Sequence, residues 1–259
     1  MVLCVNVSNS NILLGGYQEG TRRFCAALHT AAADTADELA VKMQAVLALH
    51  QVDAAGLDGA ILSCVVPALL GRVRGALGLL YGGRLYVVGP GLKTGLAIRM
   101  DDPGQLGGEL VCAAVAAKER GPLPCVVVSM DTAVTMLALD EAGALRGGAV
   151  MPGVRTGLEA LCLRTAQLPQ VDLSVPPCGV LGSGSVSCMQ AGALFGTAAM
   201  IDGMLDRFGQ ALGLRRAPAC VATGEPAELI APLCRHPVQV HPHLVLDGLY
   251  ALYRRNTKS

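Results

Sequence analysis

The stretch VLCVNVSNSNILLGGY, residues 2–17, sets the reading of the whole chain. VLCVNV is a short apolar run rich in β-branched residues, which predicts a buried strand. The polar quartet SNSN interrupts it, and ILLGGY predicts a second strand beyond the turn. The pattern then restarts in the second half of the chain. CVVVSM, residues 125–130, reads as a buried strand, Asp131–Thr132 as a polar turn, and Val134–Leu139 as another strand. Strand, polar loop and strand thus occur at matching points of two halves, as expected of a duplicated α/β unit.

Between these anchors, Thr35 and Glu38 form a capping-box pattern that opens a helix through about Leu49. Ala60–Val66 predicts a buried strand ended by Pro67 and a helix, and Leu85–Val88 a strand leading into the loop GPGLKTG. Glu109–Lys118 has helical character, and ERGPLP, residues 119–124, makes a polar, proline-containing joint. The expected domains are therefore 1–120 and 121–259. Asp140–Gly143 reads as a hairpin turn, and Val186–Leu212 as a long helix. On that helix Leu194, Ala198, Ile201, Leu205, Phe208 and Leu212 form a stripe, with Met200 and Met204 on another face. A core helix and a helix that also packs on a second subunit both fit this pattern.

The chain has 52% hydrophobic and 15% charged residues and a mean hydropathy of +0.48. Such an apolar surplus implies helices buried on several sides, an apolar subunit interface, or both. An obligate dimer burying at least about 2,000 Å² is expected. Twenty Lys and Arg balance twenty Asp and Glu without long runs, so no basic stripe for nucleic acid exists. Three Phe, five Tyr and no Trp leave little for base stacking. Residues 1–14 lack a cationic start and carry Asn6, Ser8, Asn9 and Ser10, unlike a secretory leader. No apolar stretch approaches the roughly 20 residues of a membrane span, so a cytoplasmic protein is expected. Ten cysteines, Cys178 among them, occur without a CxxC pair and mostly in apolar runs, as small core residues do. His241 and His243 alternate in an extended segment without a matching ligand cluster.

Neither a GxxxxGK[ST] loop nor a kinase glycine-rich loop is present. The turns Asn6–Asn11 and Ser129–Thr132 instead lie at strand ends, where they would face each other across a cleft.

An ordered series of motifs sharpens this. NVSNSN, residues 6–11, resembles a DxGNTN-like phosphate loop, and GPGLKTG, residues 89–95, matches GPGxKTG. GGEL, residues 107–110, aligns with GADR, SMDTAVT, residues 129–135, with DFGTATT, and GGAVMPG, residues 147–153, with GGxxxPG. GSGS, residues 182–185, stands for a GKNT-like turn, MQAG, residues 189–192, for MQxG, and LDGLYALYRRN ends the chain. The whole sequence resembles the type III pantothenate kinases of the acetate kinase/Hsp70/actin superfamily.

That resemblance implies two RNase H-like α/β domains of the actin-like ATPase type with an interdomain cleft. It implies transfer of the ATP γ-phosphoryl group to pantothenate, the first step of coenzyme A biosynthesis, in a dimer whose substrate pocket forms at the interface. ATP and phosphate would meet Asn6, Ser8, Asn9, Ser10, Asn11, Asp131, Thr132, Ala133, Gly147 and Gly148. Pantothenate would meet Met100, Gly107, Gly108, Leu110 and Ser185, with Glu109 as catalytic base. Mg²⁺ is implied with the nucleotide, and a monovalent cation, K⁺ or NH₄⁺, at the position of Ser129.

Several positions depart from the family pattern. The first phosphate-loop aspartate is Asn6, and the glycine two residues on is Ser8. The base position is Glu109, one methylene longer than aspartate, and the neighbouring arginine is Leu110. Met100 replaces a tyrosine, Ser129 the cation-holding aspartate, Asp131 a glycine and Ser185 a threonine, while Thr132 is kept. Fold motifs persist while charged ones are lost. This combination suits one subunit of a homodimer or of a heteromer with a related, more complete kinase chain. A degenerate nucleotide-binding, regulatory or scaffold subunit, or a kinase for another small hydroxyl compound, is the alternative.

Overall fold

The computed structural model describes residues 1–173 and 179–257, so Cys178 lies outside the described residues. The chain divides into two compact units. The first comprises Met1–Gly95, Asp102–Ala116 and Leu244–Ser259, and the second Leu96–Asp101 and Ala117–His243.

In the first unit β1 (Val2–Val7), β2 (Asn11–Gln18) and β3 (Thr21–His29) form an antiparallel meander. Then follow α1 (Ala36–Leu49), β4 (Gly59–Cys64), α2 (Pro67–Leu80), β5 (Leu85–Val87) and α3 (Gly108–Arg120). Strands β4 and β5 add parallel to β1, giving the order β3-β2-β1-β4-β5. The second unit repeats this plan. β6 (Cys125–Met130), β7 (Ala133–Leu139) and β8 (Leu145–Pro152) form the meander, followed by α4 (Val154–Arg164) and α5 (Ser185–Ala211). β9 (Ala219–Thr223), α6 (Ala227–Ile230) and β10 (Val238–Val240) complete the sheet order β10-β9-β6-β7-β8, and α7 (Leu244–Thr257) ends the chain. Order and strand direction are the same in both sheets: the chain holds the RNase H-like sheet twice.

Local chemistry explains the elements. Thr35 accepts from the Glu38 N–H while the Glu38 carboxylate accepts from the Thr35 N–H, which satisfies two otherwise open donors of α1. The α1–α2 face of the first sheet closes on Leu3, Val5, Val7, Leu14, Met43 and Leu62. In the second unit Leu194, Ala198, Ile201 and Leu205 are all buried against their own sheet. These four residues of the α5 stripe are therefore core, while Met200, Met204, Phe208 and Leu212 are half-buried. The large apolar side chains that do stay exposed include Leu161, Leu163, Val180, Leu181 and Val186. Among the described residues no helix is long and apolar enough to cross a membrane.

Three segments differ from the expected division at residue 120; the shortest, Ala117–Arg120 at the end of α3, falls in the second unit. Residues 96–101 join the second unit because the Leu145 N–H donates to the Ala97 carbonyl and the Arg99 N–H to the Leu145 carbonyl, both at 2.8 Å. Helix α7 joins the first unit because its apolar face, Leu244, Leu246, Leu249 and Leu252, is fully buried there. The Tyr17 hydroxyl donates to buried Asp247 at 2.6 Å, and Tyr17 stacks on Tyr250 with centroids 4.6 Å apart. Tyr17→Phe keeps the stack but removes the donor to a buried carboxylate, so it should lower stability by roughly 1–3 kcal/mol. A shift of the urea midpoint without a change of slope is the expected reading.

Cys4, Cys112, Cys125 and Cys220 are buried core side chains, while Cys25, Cys64, Cys162 and Cys234 are half-buried. Burial pushes the Cys125 and Cys234 thiols up to about 11 and Cys220 to about 12. Cys4 and Cys112 are raised further, burial again being the main cause. Exposed Cys188 should therefore react rapidly with a thiol reagent at neutral pH. Cys4, Cys112, Cys125 and Cys220 should react only as the chain unfolds, which peptide mapping of the labelled protein will read.

Candidate active site

Asn6 and Ser129 occupy the same place in the two duplicated sheets, each one residue before the end of its central strand. Asn6 is opposite Leu13 on β2 and Ser63 on β4. Ser129 is opposite Thr135 on β7 and Thr223 on β9. Register partners share a face, so each sheet presents a small polar group there. All are well shielded: Asn6 is 3% exposed, Ser63 0%, Ser129 8% and Thr223 3%. Asn6 Oδ1, Ser63 Oγ and Thr135 Oγ1 are buried without a hydrogen-bond partner among the described residues. Unpartnered buried oxygens are uncommon in folded chains and mark these two strand ends.

The loop after β1 is tight. The Ser8 N–H and hydroxyl both donate to the Asn11 carbonyl at 2.9 Å, and Thr30 Oγ1 donates to the Ser8 carbonyl at 2.8 Å. Ser8 thus spends its side chain on closing the turn, while Asn9, Ser10 and Asn11 are exposed. Above the first sheet Gly107 and Gly108 lead into α3, with Glu109 in its first turn and Leu110 half-buried. A Cβ at Gly108 would lie 3.0 Å from Ser63 Oγ, so the positive end of α3 stands beside the Asn6–Ser63 pair. The Glu109 charge adds to the raised Cys112 pKa after burial. The GPGLKTG loop is held by Asn256 of α7, which accepts from the Lys93 N–H at 3.1 Å and donates to the Lys93 carbonyl at 3.0 Å.

In the second unit the β6–β7 turn carries exposed Asp131 and Thr132, followed by half-buried Ala133. The Thr132 carbonyl accepts from the Gly153 N–H at 3.0 Å and from Thr156 Oγ1 at 2.8 Å. Gly153 is required here, since a Cβ would fall 2.2 Å from the Asp131 carbonyl oxygen and 2.5 Å from that of Thr132. The start of α4 is thereby fastened to the turn. The Asp131 carboxyl is held above its ordinary value by crowding protein atoms, which hinder its solvation, and then by the charge of Glu225. Gly147 and Gly148 lie in β8, opposite Ala138 and Leu137. A groove of ≈ 810 Å³ runs between α4 and the start of α5, with Val154, Leu158, Leu161 and Met189 on its walls and Ser183 and Ser185 at its polar end.

The structure thus brings Asn6, Ser8–Asn11, Gly107, Gly108, Glu109 and Leu110 into the first unit, and Ser129–Ala133, Gly147, Gly148 and Ser185 into the second. Met100 belongs to the second unit and the GGEL turn to the first. Ser63 and Thr223 escaped the sequence reading, and Thr135 entered it only as the last position of SMDTAVT. Each is a hydroxyl inside an apolar strand, and only the strand register pairs it with Asn6 or Ser129.

The family model for type III pantothenate kinase matches residues 2–207. The chain belongs to the type III pantothenate kinase family. The relative named type III pantothenate kinase from Pelobacter propionicus is 36% identical over 257 residues, covering 99% of this chain and 100% of that one. The namesake from Geotalea daltonii is 34% identical over 260 residues, covering 100% of both. Among solved structures, the activator of 2-hydroxyisocaproyl-CoA dehydratase from Clostridium difficile, solved with bound ADPNP, superposes with a TM-score of 0.56 at 12% identity, over 97% of this chain and 93% of that one. That likeness concerns the fold, which is the actin-like ATPase fold of two RNase H-like domains.

Proposed function

We propose that this chain serves the ATP-dependent phosphorylation of pantothenate as one subunit of a dimeric or heteromeric type III kinase, with a site too altered to sustain ordinary turnover alone. The observation that carries the reading is the pair Asn6 and Ser129, two buried neutral side chains at the strand ends where family members carry aspartate. Membership of the family and the retained GPGLKTG, GGAVMPG and MQAG motifs support the substrate pair ATP and pantothenate. The groove of ≈ 810 Å³ lies within the 300–1,000 Å³ usual for small-molecule sites, room enough for a nucleoside or for pantothenate.

Asn6 and Ser129 themselves present no carboxylate to a magnesium ion. Mg²⁺ is ordinarily bound through one or two carboxylates together with substrate phosphates. Here the two strand ends offer an amide and hydroxyls, and the carboxylates nearest the second are Asp131, in the turn after β6, and Glu225, whose charge Asp131 feels. The Ser129 position likewise keeps a hydroxyl but no charge for a monovalent cation. A second reading, a non-catalytic nucleotide-binding subunit, draws on the same neutral pair. Leu110 and Met100, less suited to a carboxylate than arginine and tyrosine, favour a changed acceptor as the third.

Glu109 is the acidic group left in the acceptor motif, and we assign it the role of general base. In the assembly isolated from the native cell, Glu109→Gln should cut turnover by a factor of about 10² to 10⁴ while leaving the melting temperature unchanged. Unchanged turnover would place the chemistry in another chain and leave this one as scaffold. A related kinase chain co-eluting on purification supports the heteromer; a lone homodimer excludes it.

A further inference from the structure

We propose that the second unit binds a divalent cation between Asp131 and Glu225, with the Ser129 hydroxyl as a third oxygen. Ser129 and Thr223 are register partners on the parallel strands β6 and β9, and Asp131 and Glu225 each follow two residues later. The Asp131 N–H donates to the Ala133 carbonyl at 3.0 Å, which carries the β6–β7 ladder one step beyond the Met130–Val134 pair. Side chains two apart on an extended strand share a face, so Asp131 stands in line with Ser129. Gly224 brings Glu225 to the same strand end: its φ is 103°, and a Cβ there would lie 2.1 Å from the Met130 carbonyl oxygen. Ser129 is 8% exposed, and its hydroxyl has no hydrogen-bond partner among the described residues. A cation beside the two carboxylates would give that shielded oxygen its partner.

The charges favour the same occupant. Crowding by protein atoms and then the charge of Glu225 hold the Asp131 carboxyl above its ordinary value, so the two carboxylates repel each other. A divalent ion between them turns that repulsion into attraction, and both are exposed, so it reaches them from solvent. Arg155 opposes it by pairing with Glu225 Oε1 at 2.6 Å, as does the positive end of α4, fastened to the Thr132 carbonyl. The Arg155 and Glu225 side chains are 65% and 73% exposed, and so open a pair exchanges readily for a doubly charged ion. One or two carboxylates with water and substrate phosphates are the usual complement of Mg²⁺. Relative to the family pattern the acid is lost at position 129 and gained at 131, about 7 Å further along the strand. The site lies in the second unit alone and stands apart from the reading of pantothenate as substrate.

The test is titration of the full chain with Mn²⁺, the free ion read by electron paramagnetic resonance and Mg²⁺ added as competitor. The parent should bind Mn²⁺ with a Kd of about 0.1–1 mM, as weak oxygen-ligand sites do, and Mg²⁺ should displace it. Asp131→Asn and Glu225→Gln should each weaken binding about tenfold or more. Ser129→Ala should weaken it about threefold, and unchanged affinity would strike the hydroxyl from the site. Arg155→Gln removes the competing cation and should tighten binding about threefold or more, a direction that a damaged fold would not give. Circular dichroism melting confirms that each variant is folded. A parent that retains no Mn²⁺ in this range overturns the inference. So does Mn²⁺ binding that neither carboxylate variant alters, which would be an adventitious ion only.

Discussion

Given ATP, Mg²⁺ and pantothenate, the purified chain should form phosphopantothenate at least about a thousandfold below the 1–10³ s⁻¹ of ordinary metabolic kinases. Phosphoryl transfer leaves little covalent chemistry to the protein, so positioning and charge supply nearly all of the acceleration. Losing a single electrostatic contact in such a site costs about 10² to 10³ in rate. Here the strand-end positions are neutral in both units, and the acceptor motif carries Leu110 where a guanidinium would pair the substrate carboxylate. Glu109 is retained but extends one methylene further than aspartate, and a misplacement of about 1 Å can itself cost about 10². These losses do not add simply, because groups that act as a unit fail together. Mass-spectrometric detection of phosphopantothenate reads the outcome. A rate in the ordinary range overturns the subunit reading, and a rate raised by Asn6→Asp with Ser129→Asp ties the deficit to those positions.

The duplicated architecture was legible because its central strands are nearly pure apolar runs. VLCVNV and CVVVSM announce buried strands, and the polar turns after them mark the strand ends where the site forms. What stayed hidden were elements without such runs. β3 is an edge strand in which Arg22 and Arg23 precede Phe24, the one fully shielded side chain of the strand, so no clean alternation exists to detect. β10 has three residues and gains its place from parallel pairing with β9. The placement of α7 follows from distant partners. Nothing in LDGLYALYRRN says that its aspartate meets Tyr17 or that Asn256 grips Lys93.

The site divided in the same way. Motif order singled out Asn6, Glu109, Ser129 and Thr132, because resemblance transfers position along the chain. It did not transfer neighbours across the sheet. Ser63 and Thr223 read as ordinary strand hydroxyls, and Thr135 as the end of a motif, until the register sets them beside Asn6 and Ser129. The α5 stripe is the converse case. Its period was plain, yet period alone does not say what it faces; Leu194, Ala198, Ile201 and Leu205 turn to their own sheet.

The largest effect on folding should come from Gly248, in the closing motif of the chain. Helices α3 and α7 touch there through their backbones: a Cβ on residue 248 would lie 1.9 Å from the Cys112 carbonyl oxygen and 2.5 Å from its carbonyl carbon. Main-chain atoms inside a helix cannot rotate aside as a side-chain tip can, so relief requires the two helices to separate. Separation would loosen Leu244, Leu246, Leu249 and Leu252 from the first sheet, together with the Tyr17–Asp247 bond and the Tyr17–Tyr250 stack. Gly248→Ala, although it adds a single methyl group to a helix, should therefore cost roughly 3–5 kcal/mol. That is a large share of the about 5–15 kcal/mol that holds an ordinary domain together. The melting temperature should fall by about 10 °C or more, read by circular dichroism. Gly196→Ala in α5 is the matched control, because a Cβ there meets nothing within 4 Å and helix propensity alone favours the change by roughly 0.5–1 kcal/mol. Equal melting temperatures for the two variants would mean that the α3–α7 crossing relaxes freely, and that its closeness does not explain the glycine.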